Sequence, residues 1–216
     1  MLFPYKDDNP RILVPYVTYG IIAINVLVFI LQFNLSISNP KAEESFIYSF
    51  GFIPANFSFI TIFTSMFLHG GFSHIMGNMW FLWVFGDNVE GVLGHTKYIL
   101  FYILCGLAAT ISQLLINPGS TIPMVGASGA IAGVLGMYMI RFPKANVHVF
   151  AFIIIFFTTF RIPALFVLGF WFFNQLTNGL GSLGFNTTGG VAWFAHIGGF
   201  IAGIMLNQAF KHIRLE

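Results

Sequence analysis

An all-α bundle of six membrane-spanning helices is the fold class that this sequence predicts, and three observations predict it. Hydrophobic residues make up 57% of the 216-residue chain and charged ones only 7%, with a mean hydropathy of +0.84. That is too little charge to cover a soluble domain of this size. Six apolar runs, at 16–33, 74–89, 97–116, 127–142, 162–179 and 191–210, approach the roughly 20 residues a helix needs to cross a bilayer. With the amino terminus inside, Lys6, Arg11, Lys97, Arg141, Lys144, Arg161, Lys211 and Arg214 share the cytoplasmic side, and Lys41 alone falls outside.

Residues 1–15 read as a short cytoplasmic segment carrying Lys6, Asp7, Asp8 and Arg11, and residues 16–211 as one membrane domain. No small-residue cleavage site follows Tyr16–Phe33, which marks a retained first span. The second span carries Ser73-His74-Ile75-Met76-Gly77-Asn78, and the third holds Cys105, the single cysteine, a packing thiol with no intramolecular disulfide partner. The fourth opens on Gly126-Ala127-Ser128-Gly129-Ala130 after an uncharged loop, 118–125. Val147–Phe160 is apolar enough to span, yet only Arg161, Ile162 and Pro163 separate it from the fifth run. If both crossed, the last span would reverse and Ser128 and His196 would lie near opposite faces, so 147–160 is expected as an interfacial or partly re-entrant piece. Residues 120 and 186 then fall outside, and 94 and 145 inside.

A polar side chain in lipid is costly without a partner or a task. Ser128 begins a run to Phe142 that rises roughly 22 Å against a core of about 30 Å, so it starts some 8 Å below the outer surface. His196 lies five residues into its own run, at a similar depth of roughly 7 to 8 Å. His74 and Asn78 are four residues apart, on one helix face, and roughly 20 Å above Asp87 at the inner end. Four polar groups thus share a level. A Ser–His dyad is the minimum apparatus for nucleophilic catalysis, and His74, Asn78 and the Ser128 N–H are candidate oxyanion donors. Asp87 and Glu90 belong to the inner end, so a dyad rather than a triad is expected. Each motif alone has a plainer reading, as a small-residue helix contact, a structural histidine or an interhelical hydrogen bond. Their coincidence in depth favours catalysis. Gly129 with Gly133, and Gly199 with Gly203, are small-xxx-small pairs that let the fourth and sixth helices approach closely. The other histidines, His69, His95, His148 and His212, lack zinc-site spacing, so no metal and no cofactor is expected, and no basic patch suggests nucleic acid.

The segments His69-Gly70-Gly71-Phe72-Ser73-His74-Ile75-Met76-Gly77-Asn78, Gly126-Ala127-Ser128-Gly129 and Ala195-His196-Ile197-Gly198-Gly199-Phe200-Ile201-Ala202-Gly203 together resemble the signature set of the rhomboid intramembrane serine proteases. The resemblance runs from about residue 55 to 206. It implies a six-helix core, Ser128 as nucleophile, His196 as general base, His74 and Asn78 as oxyanion stabilisers, and transmembrane proteins cleaved near the outer interface as substrates. It also implies that 34–72 forms a membrane-associated loop. Two positions depart from the family pattern. Ile60-Thr61 stands where many members carry Trp-Arg, which puts in question the anchoring of that loop to Glu90, and Ala132 replaces a tyrosine whose ring packs on the catalytic histidine. A bacterial inner membrane is the expected location, with both termini cytoplasmic. The competing classes are an inactive, client-binding relative, and a small transporter with a polar pathway, for which no internal repeat is found.

Overall fold

The computed structural model describes residues 2–153, 156–183 and 190–210; Asn186, Lys211, His212 and Arg214 lie outside the described residues. In chain order the elements are β1 (Leu2–Asp7), α1 (Tyr16–Ser38), α2 (Pro40–Phe50), α3 (Phe59–Thr64), α4 (Phe72–Leu93), α5 (His95–Ile116), α6 (Ser128–Arg141), β2 (Asn146–Ile153), β3 (Phe156–Pro163), α7 (Ala164–Ser182) and α8 (Trp193–Ala209). The six long helices coincide with the six apolar runs, and the protein is an integral membrane protein with a helical membrane fold. Among the described residues α1 and α5 each qualify singly as spans by length and apolarity, and α3 with its following 3-10 turn qualifies only together with α4, across a bend of 88° that marks a broken span or a re-entrant loop. A six-span count is not reached by that measure, because helices such as α6, with 14 residues, rise only about 21 Å.

The long 34–72 segment holds α2 and α3. Asn39 caps α2 by accepting the Ala42 N–H at 3.2 Å, with Pro40 in the first turn, where its missing N–H costs nothing. Gln32 of α1 clasps the backbone just before α4, since its amide oxygen accepts the His69 N–H at 3.0 Å and its amide nitrogen donates to the His69 carbonyl at 3.2 Å.

Helix α6 is the centre of the bundle: every residue from Gly129 to Tyr138 is buried. It is short, and its glycines let neighbours close on it. A Cβ at Gly199 would overlap the Gly129 carbonyl oxygen, one at Gly203 the Gly133 carbonyl, and one at Gly136 the Phe200 carbonyl. Helices α6 and α8 therefore touch backbone to backbone over two turns, as small-residue pairs permit. On the α5 side, Gly133 faces the buried Cys105 thiol.

The described cations divide as expected, with Lys6, Arg11, Lys97, Arg141, Lys144 and Arg161 at one end and Lys41 at the other. At the cation-rich end the structure adds a small sheet to the helical bundle. The segment 147–160, expected as an interfacial or re-entrant piece, contributes β2 and β3 of an antiparallel sheet whose order is β1-β2-β3. The segment ahead of α1 supplies β1, with Phe3 opposite Phe150 and Asp7 opposite Val147, and an irregularity between Pro4 and Lys6. Alternation explains the strand: Val147 and Val149 are fully buried while Phe150 is exposed. Trp80 of α4 donates its indole N–H to the Pro4 carbonyl at 2.6 Å, and His148 meets Asp8 at 2.6 Å. Beneath the sheet, Asp7 accepts hydrogen bonds from Tyr138 and, at 3.0 Å, from Asn88.

Glu90, fully buried, caps α1 from the end of α4. It accepts the Val17 N–H at 2.9 Å, the Thr18 N–H at 2.8 Å and the Thr18 hydroxyl at 2.7 Å, and it meets His95 Nδ1 at 2.6 Å. The first N–H groups of a helix have no intrahelical acceptor, and a carboxylate there also meets the positive end of the helix dipole. Thr61, meanwhile, donates to Ser58 at 2.8 Å. Glu90 thus anchors a helix end, which is where the structure uses it in place of the loop.

Candidate active site

Ser128 is the first residue of α6, so its own N–H is among those with no intrahelical acceptor. The turn that delivers it is pinned on both sides. Phe52 and Met124 exchange two backbone hydrogen bonds of 3.0 and 2.7 Å, and the Gly126 N–H donates to the Ser65 carbonyl at 2.9 Å. Gly126 has φ +123°, a conformation that favours glycine, and a Cβ there would stand 2.8 Å from the His74 ring. A side chain at 126 would thus be excluded twice over, by backbone and by space.

His196, in the first turn of α8, places Nε2 at 2.8 Å from Ser128 Oγ. The backbone contact between α6 and α8 brings the two together, with Gly199 one turn below His196 against Gly129. The other ring nitrogen, Nδ1, lies 2.8 Å from the Gln175 side-chain oxygen in α7. Two indoles flank the ring: Trp171 at 5.9 Å with a 34° tilt, and Trp193 edge-on at 6.3 Å. Ala132, where a tyrosine ring is lacking, is buried within α6, and these indoles occupy the flanks of His196 instead. No sequence motif marks Gln175, Trp171 or Trp193. The available signal is a polar cluster inside the fifth apolar run, Asn174 and Gln175 with Asn178 one turn on, each costly in lipid without a partner.

His74 and Asn78 reach the same site from α4. They line a cavity of about 230 Å³ together with Ser128, His196, Phe81 and Ile131. The volume is enough for several waters at about 30 Å³ each. The Gly70 N–H donates to His74 Nδ1 at 3.3 Å, so in the neutral ring Nε2 carries the hydrogen, on the side facing Gly126 and Ser128. Asn78 donates one amide hydrogen back to the His74 carbonyl at 2.9 Å, leaving its second N–H. Among the described residues no group of three metal-ligating side chains is found.

Comparison with known proteins identifies the family. The chain is similar to Rhomboid protein 1, mitochondrial, of Saccharomyces cerevisiae, at 32% identity over 69% of this chain and 42% of that protein. It also resembles Rhomboid protease GluP of Bacillus subtilis, 32% identical over 56% of this chain and 24% of that one. The human presenilin-associated rhomboid-like protein, mitochondrial, is 29% identical over 60% of this chain and 34% of its own length. The chain spans less than half the length of each of these three relatives, and their names point to mitochondria as well as to a bacterium. The Rhomboid domain model matches residues 56–211, which include Ser128, His196, His74 and Asn78, and the chain belongs to the rhomboid family.

Proposed function

We propose that the protein is an intramembrane serine endopeptidase that cuts transmembrane substrates near the outer interface with a Ser128–His196 dyad. The observation that carries this reading is the 2.8 Å contact between Ser128 Oγ and His196 Nε2 at the wall of a mostly apolar cavity that His74 and Asn78 also line. Ser128 attacks the scissile carbonyl carbon as His196 takes the hydroxyl proton. The resulting oxyanion is met by the Ser128 N–H, by His74 Nε2–H and by the free amide hydrogen of Asn78. Collapse of the tetrahedral species breaks the C–N bond, and the leaving amine takes the proton from His196. Water, deprotonated in turn by His196, then releases the acyl group and restores the serine. Six spans with a cytoplasmic amino terminus put this chemistry toward the outer surface, because the cation-rich end faces the cytoplasm. In a bacterium that bilayer is the inner membrane. Substrate helices must unwind locally to present a peptide bond, so segments containing glycine or proline are the favoured class.

The test is cleavage of a model transmembrane substrate by the purified chain in detergent. Wild-type protein cuts, while Ser128→Ala and His196→Ala insert into membranes normally and cut nothing measurable. Turnover by Ser128→Ala protein at a substantial fraction of the wild-type rate overturns the assignment.

A further inference from the structure

We propose that Gln175 is a positioning residue for His196, deciding which ring nitrogen carries the proton in the resting state; this rests on the dyad reading above. Gln175 is buried in α7. Its amide nitrogen donates to the Trp171 carbonyl, one turn earlier, at 3.1 Å, so the amide oxygen is the atom turned toward the ring, 2.8 Å from Nδ1. An amide oxygen accepts and cannot donate. The hydrogen between the two atoms therefore belongs to Nδ1. A neutral imidazole protonated at Nδ1 has its lone pair at Nε2, the atom 2.8 Å from Ser128 Oγ.

The chain of bonds thus has one direction. Trp171 fixes the amide, the amide fixes the tautomer, and the tautomer leaves Nε2 ready to accept the serine proton. Trp171 acts twice, since its ring also lies 5.9 Å from the imidazole. In the serine–histidine–aspartate arrangement a carboxylate fills the place that Gln175 occupies here. Inside an apolar bundle, a neutral amide orients the ring without burying a negative charge.

The experiment uses the full chain in detergent with two rate readouts, cleavage of a model transmembrane substrate and labelling of Ser128 by a fluorophosphonate, and one spectroscopic readout. The latter is the ring carbon and nitrogen shifts of His196, assigned by difference against His196→Ala. Gln175→Leu keeps most of the volume and removes the acceptor; its kcat and labelling rate fall about 10- to 100-fold, the worth of one buried hydrogen bond, with KM within about twofold. Gln175→Glu restores an acceptor of equal reach and recovers most of that rate. The wild-type shifts report the Nδ1–H tautomer, and those of Gln175→Leu move toward Nε2–H. A folded Gln175→Leu protein that cuts and labels at the wild-type rate overturns the inference, as does a Gln175→Glu protein no faster than Gln175→Leu. Where Gln175→Leu fails to fold, the wild-type shifts decide alone: a resting Nε2–H ring overturns the inference. Wild-type protein that shows the Nδ1–H tautomer yet neither cuts nor labels removes the protease reading while leaving the hold of Gln175 on the ring in place.

Discussion

At the cation-rich end of the bundle Glu90 is wrapped by two N–H groups, a hydroxyl and a histidine; at the opposite end Ser128 Oγ meets a single ring nitrogen of His196 beside a cavity. Both clusters sit inside a helical membrane protein, and both rely on histidine. They differ in charge. The cation-rich cluster uses carboxylates, Glu90 and Asp7, and surrounds them with donors; the cavity cluster is built of neutral groups, Gln175, His196, Ser128, His74 and Asn78. The Glu90 charge is tolerated because donors meet both of its oxygens, the Asp7 charge less so because its donors all reach one oxygen, and a group that must pass a proton has to be left incompletely partnered. One end holds the bundle together, and the other, on the proposed reading, does its chemistry.

The sharpest way to break this contrast is to remove a donor at the cavity end. His74→Ala is expected to lower kcat/KM about 10²- to 10³-fold, the loss typical of one oxyanion donor, with little change in unfolding temperature. A fall in stability with no fall in rate would move His74 into the structural class. Next in size is Gly199→Ala, where a methyl group overlaps the Gly129 carbonyl and must push α8 away from α6. Cleavage should drop about tenfold or more, while Gly20→Ala, where a Cβ meets nothing within 4 Å, leaves the rate unchanged. Equal rates for both variants would show that the dyad distance does not depend on that contact.

At the other end the expected effects are on stability. Glu90→Ala strands the Val17 and Thr18 donors, and a loss of about 1 to 3 kcal/mol in denaturation is expected while molecules still folded cut at the normal rate. A normal denaturation midpoint would refute the capping role. The smallest effect is expected from Asp7→Asn. Burial pushes the Asp7 carboxyl up to about 6, helped by the nearby Asp87 charge and opposed by the Tyr138 hydrogen bond. A folded-state value above the ordinary 3.8 means that Asp7 favours the fold below about pH 4, and that this contribution is lost as the pH rises to about 6. Asp7→Asn should therefore unfold a few degrees above wild type near neutral pH, with the gap closing as pH falls from about 6 toward 4. A gap that is constant across that range would show that the Asp7 charge is not what limits stability there.

What was legible in the sequence follows the same division. The six long helices were visible because each is a long apolar run with charges at one end: the run at 97–116 is helix His95–Ile116 and that at 127–142 is helix Ser128–Arg141, while those at 16–33 and 74–89 stop short of the ends of Tyr16–Ser38 and Phe72–Leu93. Ser128, His196, His74 and Asn78 stood out because each is polar where polarity is costly. Gln175 and Gln32 meet the same condition, but neither lies in a glycine-rich motif that would mark it. The sheet was hidden for a different reason. A strand buried on one face at a membrane boundary is as apolar as a short helix, and hydropathy cannot separate them; the Val147 and Val149 alternation was the local clue. Its partner, β1, lies more than a hundred residues away, beyond the reach of any local pattern.

That distance also orders assembly. Asp8 and His148, joined across the sheet, are 140 residues apart in the chain, and Asp7 and Tyr138 are 131 apart. At synthesis rates of about 5 to 20 residues per second, β1 leaves the ribosome roughly 7 to 28 s before its partner strand exists. For that interval its backbone donors and acceptors face water or a chaperone, while α1, α4 and α5 can already insert. The sheet is thus a late closure, a clasp fastened after the helices are threaded. Lesions in β1 should accordingly slow the final maturation of the newly made protein and expose it to proteases, without hindering the insertion of the helices that precede the hairpin.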